Sequence, residues 1–414
     1  MNRSRSVIFG FGLILLVSVF IGLVWGNYHF AEKNIGGESF FVQWIGLRAI
    51  VTDGISPYHN SVSTEIQDSI SFQSSFSESI PPRYTSPLYS GIIFFPFALI
   101  ENKVLAHSLW LSAQILAIFF ILLAGLKITG WKPSWHIFLL FSLLTILSYH
   151  VLLPWLDGAV SIWATFFLVA AFLSIRNQWN EAGGILLALA TIQPQMTILI
   201  ILYTLIWCIS RRNKLLILWF FMTIIALSVI VFFLVPDWIE QYLKIIYNFS
   251  DNFPSGNPGV LFRELWPGLG KQLGWLTTVI LGFVLVIEWY LSIKKDFSWF
   301  LWVACLTLVI SQWIGLPTIP GNFAGLILPL MLVSAMLTER WLKVGQWISV
   351  FLALMIFILE WALMYTDLNG PLPGMQLNLL IPLPLILLFS LYWVRWWAVK
   401  PKRLLIEEMR LGEG

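Results

Sequence analysis

Long apolar runs recur along the whole chain and are separated by short polar segments. A helix needs about 20 apolar residues to cross the hydrocarbon core of a bilayer, and a helix shielded by its neighbours needs fewer. The pattern therefore predicts an all-α polytopic membrane protein with about twelve transmembrane helices in a single integral membrane domain, residues 1–414. The predicted spans are residues 7–26, 87–100, 104–126, 136–153, 161–175, 183–210, 215–235, 273–293, 299–316, 324–337, 347–365 and 377–397.

Basic residues predict the orientation of these helices, because Lys and Arg accumulate on the cytoplasmic side of membrane proteins. Five clusters fall on one side of the predicted arrangement: Arg3 and Arg5; Arg211, Arg212 and Lys214; Lys294 and Lys295; Arg340 and Lys343; Lys400, Lys402 and Arg403. We therefore predict a multi-pass protein of the inner (plasma) membrane with cytoplasmic N- and C-termini. Between residues 87 and 210 the basic clusters determine only whether the number of crossings is even or odd, and not which segments cross.

Two large loops are predicted on the extracytoplasmic side, at residues 27–86 and 236–272. The first contains two stretches in which apolar residues recur at helical spacing. The first stretch, residues 38–52, carries Phe40, Phe41, Trp44, Leu47 and Val51, and the second carries Val62, Ile66 and Ile70. This pattern predicts two amphipathic helices that lie on the membrane surface.

Composition agrees with a membrane protein and excludes several functions. Charged residues make up 11% of the chain, whereas soluble proteins contain about 25%. A net charge of +3 does not indicate a nucleic-acid partner. The sequence has no phosphate-binding P-loop and no Gly-rich dinucleotide fingerprint, and its five histidines have no metal-binding spacing. We predict no cofactor and no metal ion.

Several loop motifs follow one another in a distinctive order. These are Gly54-x-x-Pro57-Tyr58, Tyr84-x-x-Pro87, Pro96, Trp110, and Gln193-Pro194-Gln195 within an apolar run. Their order resembles glycosyltransferase family 87, the bacterial polyprenyl-phosphate-mannose-dependent mannosyltransferases. The resemblance implies a GT-C-like helical bundle and transfer of a sugar, mannose, from a polyprenyl-phosphate donor to a lipid or glycan acceptor at the extracytoplasmic face.

The same resemblance implies a catalytic Asp near the start of the first loop. In the register set by the residues around Pro57, that position is Ser39. Its neighbour Glu38 is the candidate that takes the proton from the acceptor hydroxyl. Candidate ligands for the donor phosphate and lipid are Arg48, Arg83, Tyr84 and Arg263. Candidate sugar and acceptor ligands are Tyr58, Asp157 and Gln193.

Most of these candidates also have a structural interpretation. Glu38 is an acid in the first turn of a predicted helix, where it is favourable without catalysis. Arg48 fits a side chain that extends to lipid headgroups, and Arg263 fits a local pair with Glu264. Gln193 fits a residue that satisfies carbonyls freed by Pro194. Asp157 is an acid near or inside the membrane, where such residues are usually functional.

Two alternatives to a glycosyltransferase remain. Gln193-Pro194-Gln195 is similar to the K-P-Q element of the family but lacks its basic residue. This difference, and Ser39 at the position of the implied aspartate, also fit a catalytically inactive relative that binds lipid-linked sugars. A transporter or channel is the third hypothesis. Transporters commonly show interrupted helices at corresponding positions in two halves, and this sequence has one clear interruption, at Pro194.

Overall fold

The computed structural model describes residues 3–33, 37–71, 82–250, 262, 266, 268–314, 320–368 and 379–399, and in this part the chain is helical without β-strands. In a bilayer a helix satisfies its backbone N–H and C=O groups within the segment itself. The helices are α1 (Arg3–Lys33), α2 (Glu38–Arg48), α3 (Asn60–Ser71), α4 (Gly91–Ala98), α5 (Lys103–Thr129), α6 (Trp135–Ile146), α7 (Tyr149–Leu156), α8 (Ser161–Arg176), α9 (Asn180–Leu189), α10 (Pro194–Ser210), α11 (Lys214–Leu234), α12 (Trp238–Ser250), α13 (Gly270–Leu291), α14 (Phe297–Ser311), α15 (Ile327–Leu368) and α16 (Pro382–Val399). A π-helical turn (Ala49–Asp53) extends α2, and 3-10 turns occur at Leu88–Ser90, Ala190–Ile192 and Pro320–Leu326.

Length and hydropathy identify the helices that are able to cross a membrane. Within the described segments five helices pass on both criteria: α5, α11, α13, α15 with the 3-10 turn before it, and α16. The pair α6–α7, bent by 60° between Ile146 and Tyr149, makes six if it counts as one span. The predicted helical membrane class is therefore confirmed.

Helix α15 is a hairpin rather than one straight rod. Leu342 has a left-handed backbone, with φ of 50°. The Ser349 hydroxyl donates to the carbonyl oxygen of Ser334 across 3.4 Å, although a straight helix would separate these residues by about 22 Å. The two arms therefore run antiparallel, in agreement with the predicted spans 324–337 and 347–365.

The run at 183–210, predicted as one interrupted span, is also a hairpin. The Asn213 side-chain amide, after α10, donates to Asn180 Oδ1 at the start of α9 across 2.6 Å. The chain turns at the 3-10 segment Ala190–Ile192, and Pro194 begins the return helix at a position where its missing N–H costs nothing. Hydropathy alone did not separate the two helices, because both are apolar and the break contains only a few polar residues.

Basic residues gather at one end of the bundle. The Arg176 guanidinium, at the end of α8, donates to the carbonyl oxygens of Lys127 and Ile128 at the end of α5. Arg211, after α10, donates to the carbonyl oxygen of Lys295 across 3.2 Å. We call this the basic end.

The segment predicted as span 87–100 lies at the opposite end and is not among the helices that are long enough to cross. After one 3-10 turn, α4 has eight residues, which gives a length of about 12 Å against a hydrocarbon core of about 30 Å. The indole nitrogen of Trp44 in α2 donates to the carbonyl oxygen of Phe97 across 3.2 Å. The segment therefore belongs to a layer formed with the first-loop helices.

The two first-loop helices differ from each other. Helix α3 is amphipathic as predicted, with Val62 and Ile66 buried and most of its polar residues exposed, while the side chain of Ile70 lies outside the described part. Helix α2 is enclosed on several sides, because Phe40, Ile45 and Leu47 are all buried. Helix α2 is therefore more enclosed than a helix with a single apolar stripe, since α3 and α4 pack against it. The position of both helices on the membrane surface stays a prediction.

Tyr58 connects two segments of this layer that are separated in the chain, the turn after α2 and the segment before α4. Its hydroxyl is buried and donates to the carbonyl oxygen of Ser86 across 2.7 Å. We expect Tyr58→Phe to lower the free energy of unfolding by about 1–3 kcal/mol, because the buried carbonyl loses its donor. Thermal unfolding of the purified protein in detergent measures this, and the exposed Tyr290→Phe is the matched control. Equal midpoints for the two variants would contradict the structural role of Tyr58.

Candidate active site

The turn between α7 and α8 is fixed by side chains of α5. It consists of Asp157, Gly158, Ala159 and Val160. The Trp110 indole nitrogen donates to the carbonyl oxygen of Gly158 across 2.9 Å, and the Gln114 amide donates to that of Ala159 across 2.8 Å. Gly158 has a φ of +70°, in the left-handed region that glycine adopts without a steric penalty. The turn therefore presents Asp157 in one defined direction.

Asp157 faces the first turn of α2. Its carboxylate accepts hydrogen bonds from the backbone N–H of Ser39, across 3.1 Å, from the Ser39 hydroxyl, and from the backbone N–H of Glu38. Its carbonyl oxygen accepts the backbone N–H of Phe40 across 3.1 Å. The first N–H groups of a helix have no partner within the helix. Asp157 therefore caps α2, at a helix start where Gly37 supplies no side-chain acceptor.

The surroundings of Asp157 make its carboxylate more basic than usual. Removal from water raises its pKa to about 6, the hydrogen bonds from Ser39 act in the opposite direction, and the charge of Glu38 raises it further. The side chain remains partly exposed. A carboxylate with this pKa is about nine-tenths ionised at pH 7 and accepts a proton more readily than an ordinary Asp.

Two acidic residues therefore lie beside Ser39, because Asp157 is hydrogen-bonded to it and Glu38 precedes it in the chain. Glu38 is the first residue of α2 and is partly exposed. The sequence singled out both Glu38 and Asp157 but assigned them to different steps, the first to catalysis and the second to sugar or acceptor binding. The structure brings them to one place.

A pair of buried amides lies near the same turn. The Gln193 side-chain amide, at the break between α9 and α10, donates to Asn322 Oδ1 across 3.3 Å. Asn322 is fully buried, and its Nδ2 has no acceptor within the described part of the chain. A Cβ built on the adjacent Gly321 would lie 3.6–3.7 Å from Pro154 and Ser161, which flank the Asp157 turn. The sequence missed Asn322, whose only signal was its place in a short turn between two predicted spans.

His107 on α5 was also missed. Its ring stacks on Phe40 with 4.9 Å between centroids. A Cβ on Gly37 would lie 2.5 Å from the His107 ring, so the start of α2 is pressed directly against α5. A single histidine in an apolar helix gives no sequence signal of this contact.

The remaining candidates mainly support the loop layer. The Arg48 guanidinium stacks over the Trp44 ring at 5.0 Å and donates to the carbonyl oxygen of Ala98 across 3.3 Å. Tyr58, predicted as a sugar or acceptor ligand, and Tyr84, predicted as a ligand of the donor, are buried, and the centroids of their rings are 5.4 Å apart. Arg83 is exposed. Arg263 lies outside the described residues.

A separate enclosed space lies beside His150, Ser148 and Glu360, between α7 and α15. Its volume is about 30 Å³, which is enough for about one water molecule. A sugar does not fit in this space.

These features define a helical membrane protein with a carboxylate-bearing site at the end of the bundle opposite the basic residues. The family model described as Glycosyltransferase family 87 matches residues 84–312, which is more than half of the chain. The chain therefore belongs to glycosyltransferase family 87 and is a membrane glycosyltransferase. The matched residues include Asp157 and Gln193 but not α2. A comparison with curated proteins found no match.

Proposed function

We propose that this protein transfers mannose from a polyprenyl-phosphate donor to a lipid or glycan acceptor at the extracytoplasmic face of the plasma membrane. The observation that carries the proposal is the meeting of Asp157 and Glu38 at the end of the bundle remote from the basic residues. A carboxylate in this position removes the proton of the acceptor hydroxyl as its oxygen attacks the anomeric carbon. Lipid phosphate is then the leaving group.

The proposed topology follows from the difference between the basic end of the bundle and the end that carries the Asp157 turn. Basic residues favour the cytoplasmic side, which assigns the Asp157 turn and the first-loop layer to the extracytoplasmic side. Twelve crossings then result, from α1, α5, the pair α6–α7, α8, α9, α10, α11, α13, α14, the two arms of α15, and α16. The number of crossings equals the number predicted from the sequence. The segment 87–100 is no longer counted as a crossing, and the run 183–210 now gives two crossings instead of one. Both termini are cytoplasmic, and the chain forms a single integral membrane domain.

A lipid-linked donor suits a site at this face, because the sequence carries no motif for a nucleotide sugar. We propose Arg83 and Arg263 as ligands of the donor phosphate, since a guanidinium binds phosphate through two parallel hydrogen bonds. Arg48, Tyr58 and Tyr84 hold the layer that presents Arg83. Gln193 and Asn322 offer amide groups to sugar hydroxyls, and the unpaired Nδ2 of Asn322 supports this role.

The test is a transfer assay on membranes that contain the protein, with radiolabelled polyprenyl-phosphate mannose. The control is the double variant Glu38→Gln/Asp157→Asn at equal abundance, which removes both carboxylates and keeps their size. We expect label to reach lipid or glycan with the wild type and to remain in the donor with the control. Folded wild type that binds labelled donor without transferring it would instead support the inactive, lipid-binding relative.

A further inference from the structure

The two carboxylates beside Ser39 are not equivalent. Asp157 is oriented by three donors, two from Ser39 and one from the Glu38 backbone. The Glu38 carboxylate has no hydrogen-bond donor among the described residues and rests on the first turn of α2. A catalytic base has to be held within reach of the reacting proton. On this criterion Asp157 is the better placed of the two.

The supports of Asp157 are also the more rigid. The α7–α8 turn is attached to α5 through Trp110 and Gln114, and Trp110 is fully buried in a stack with Phe94 at 4.0 Å. A side chain is held precisely when the surrounding packing and hydrogen bonds fix the segment that carries it, and these contacts fix the turn that carries Asp157. Asp157 as a residue is partly exposed, and the assignment requires an acceptor to reach its carboxylate from that side.

We propose that Asp157, on the α7–α8 turn, is the general base of the transfer, and that Ser39 positions it from the first loop. This assignment rests on the proposed function. The acceptor O–H proton moves to a carboxylate oxygen of Asp157 while the acceptor oxygen forms a bond to the anomeric carbon. The bond from that carbon to the phosphate oxygen breaks, and its electron pair leaves with the lipid phosphate. Protonated Asp157 returns its proton to water.

The assignment predicts a particular pH dependence. The reaction requires the ionised form of Asp157, so activity is present above its pKa of about 6 and is lost as the pH falls through that value. Below it we expect about a tenfold loss per pH unit. Glu38 on α2 is the charged group that acts on Asp157, and the His107 ring on α5 lies behind Gly37. Because the Glu38 charge raises the pKa of Asp157, Glu38→Gln should move the acid limb of the residual activity to lower pH.

Asp157→Asn tests the assignment in the transfer assay. Asn still accepts the Ser39 N–H and caps a helix well, so the variant should fold. We expect kcat to fall about 100-fold or more, which is the usual contribution of a general base. Placing a carboxylate at the neighbouring position, as Ser39→Asp in the Asp157→Asn background, should recover at least about tenfold of that loss. A residue that only caps α2 predicts no such rescue.

The outcomes separate the two proposals. Active wild type with Asp157→Asn within about threefold of it overturns the assignment and leaves the glycosyltransferase intact. Wild type that transfers no sugar from mannosyl, glucosyl or galactosyl polyprenyl phosphate overturns both. If Asp157→Asn fails to fold, the pH profile of Glu38→Gln decides, because an unmoved acid limb contradicts a base coupled to Glu38.

Discussion

Gly158→Ala is expected to abolish transfer and to lower the free energy of unfolding by about 2–5 kcal/mol. Two effects add up at this position. Its φ of +70° places an L side chain in the left-handed region, which costs about 1–2 kcal/mol. A Cβ there would also lie 2.7 Å from the Cβ of Phe40 and 3.2 Å from the Trp110 ring, and such overpacking costs about 1–3 kcal/mol.

Catalysis should suffer more than stability, because the clash pushes α2 away from the neighbouring Asp157. Thermal unfolding in detergent and the transfer assay measure the two effects on the same preparation. Gly282→Ala is the matched control, since nothing lies within 4 Å of a Cβ at that helical position. We expect the control to be as active as the wild type and slightly more stable. A Gly158→Ala variant that behaves like this control would show that the turn is not held as described.

Glu288→Ala is expected to cost about 3–5 kcal/mol of stability, because it removes the buried partner of the Arg395 guanidinium, whose side chain is 29% exposed. Glu288 on α13 is 6% exposed, and its carboxylate accepts a hydrogen bond from Arg395 Nη2 on α16 across 3.0 Å. The Arg395 guanidinium also lies over the rings of Trp299 and Trp302. Loss of the carboxylate therefore disturbs the contact among α13, α14 and α16.

A double variant distinguishes the lost pair from a lost side chain. Glu288→Leu/Arg395→Met removes both charges and keeps most of the volume, and we expect it to regain stability relative to Glu288→Ala. Glu240→Ala, which breaks the fully exposed Glu240–Lys244 pair on α12, should leave the unfolding midpoint unchanged. Equal losses for Glu288→Ala and Glu240→Ala would contradict a buried ion pair at α13.

Hydropathy predicted the long helices because each of them needs a continuous apolar run. It failed at 87–100, where an apolar segment is short and packs against α2. It also failed at Gln193, because one polar break in an apolar run does not reveal that the chain reverses there. Segment length and hydropathy describe each helix singly, whereas these two features depend on contacts between helices.

The site was predictable residue by residue but not as an arrangement. Glu38 was a candidate because it lies beside the position where the family resemblance implies an aspartate, whereas Asp157 and Gln193 are polar residues within an apolar context. Ser39 and Asp157 are 118 positions apart, and no local pattern relates them. His107 and Asn322 escaped notice because single polar residues in buried helices or turns are common, and only tertiary contacts give them a role.

Because Asp157 caps α2 and is hydrogen-bonded to Ser39, the residues at positions 39 and 157 depend on each other. Together the two positions hold one negative charge, which in this protein is the Asp157 carboxylate that accepts a hydrogen bond from the Ser39 hydroxyl. Moving the carboxylate to 39 and the hydroxyl to 157 conserves the charge and the hydrogen bond. Aspartate at both positions places two negative charges in contact, and aspartate at neither removes the negative charge from the start of α2. Substitutions at one position are therefore constrained by the residue at the other.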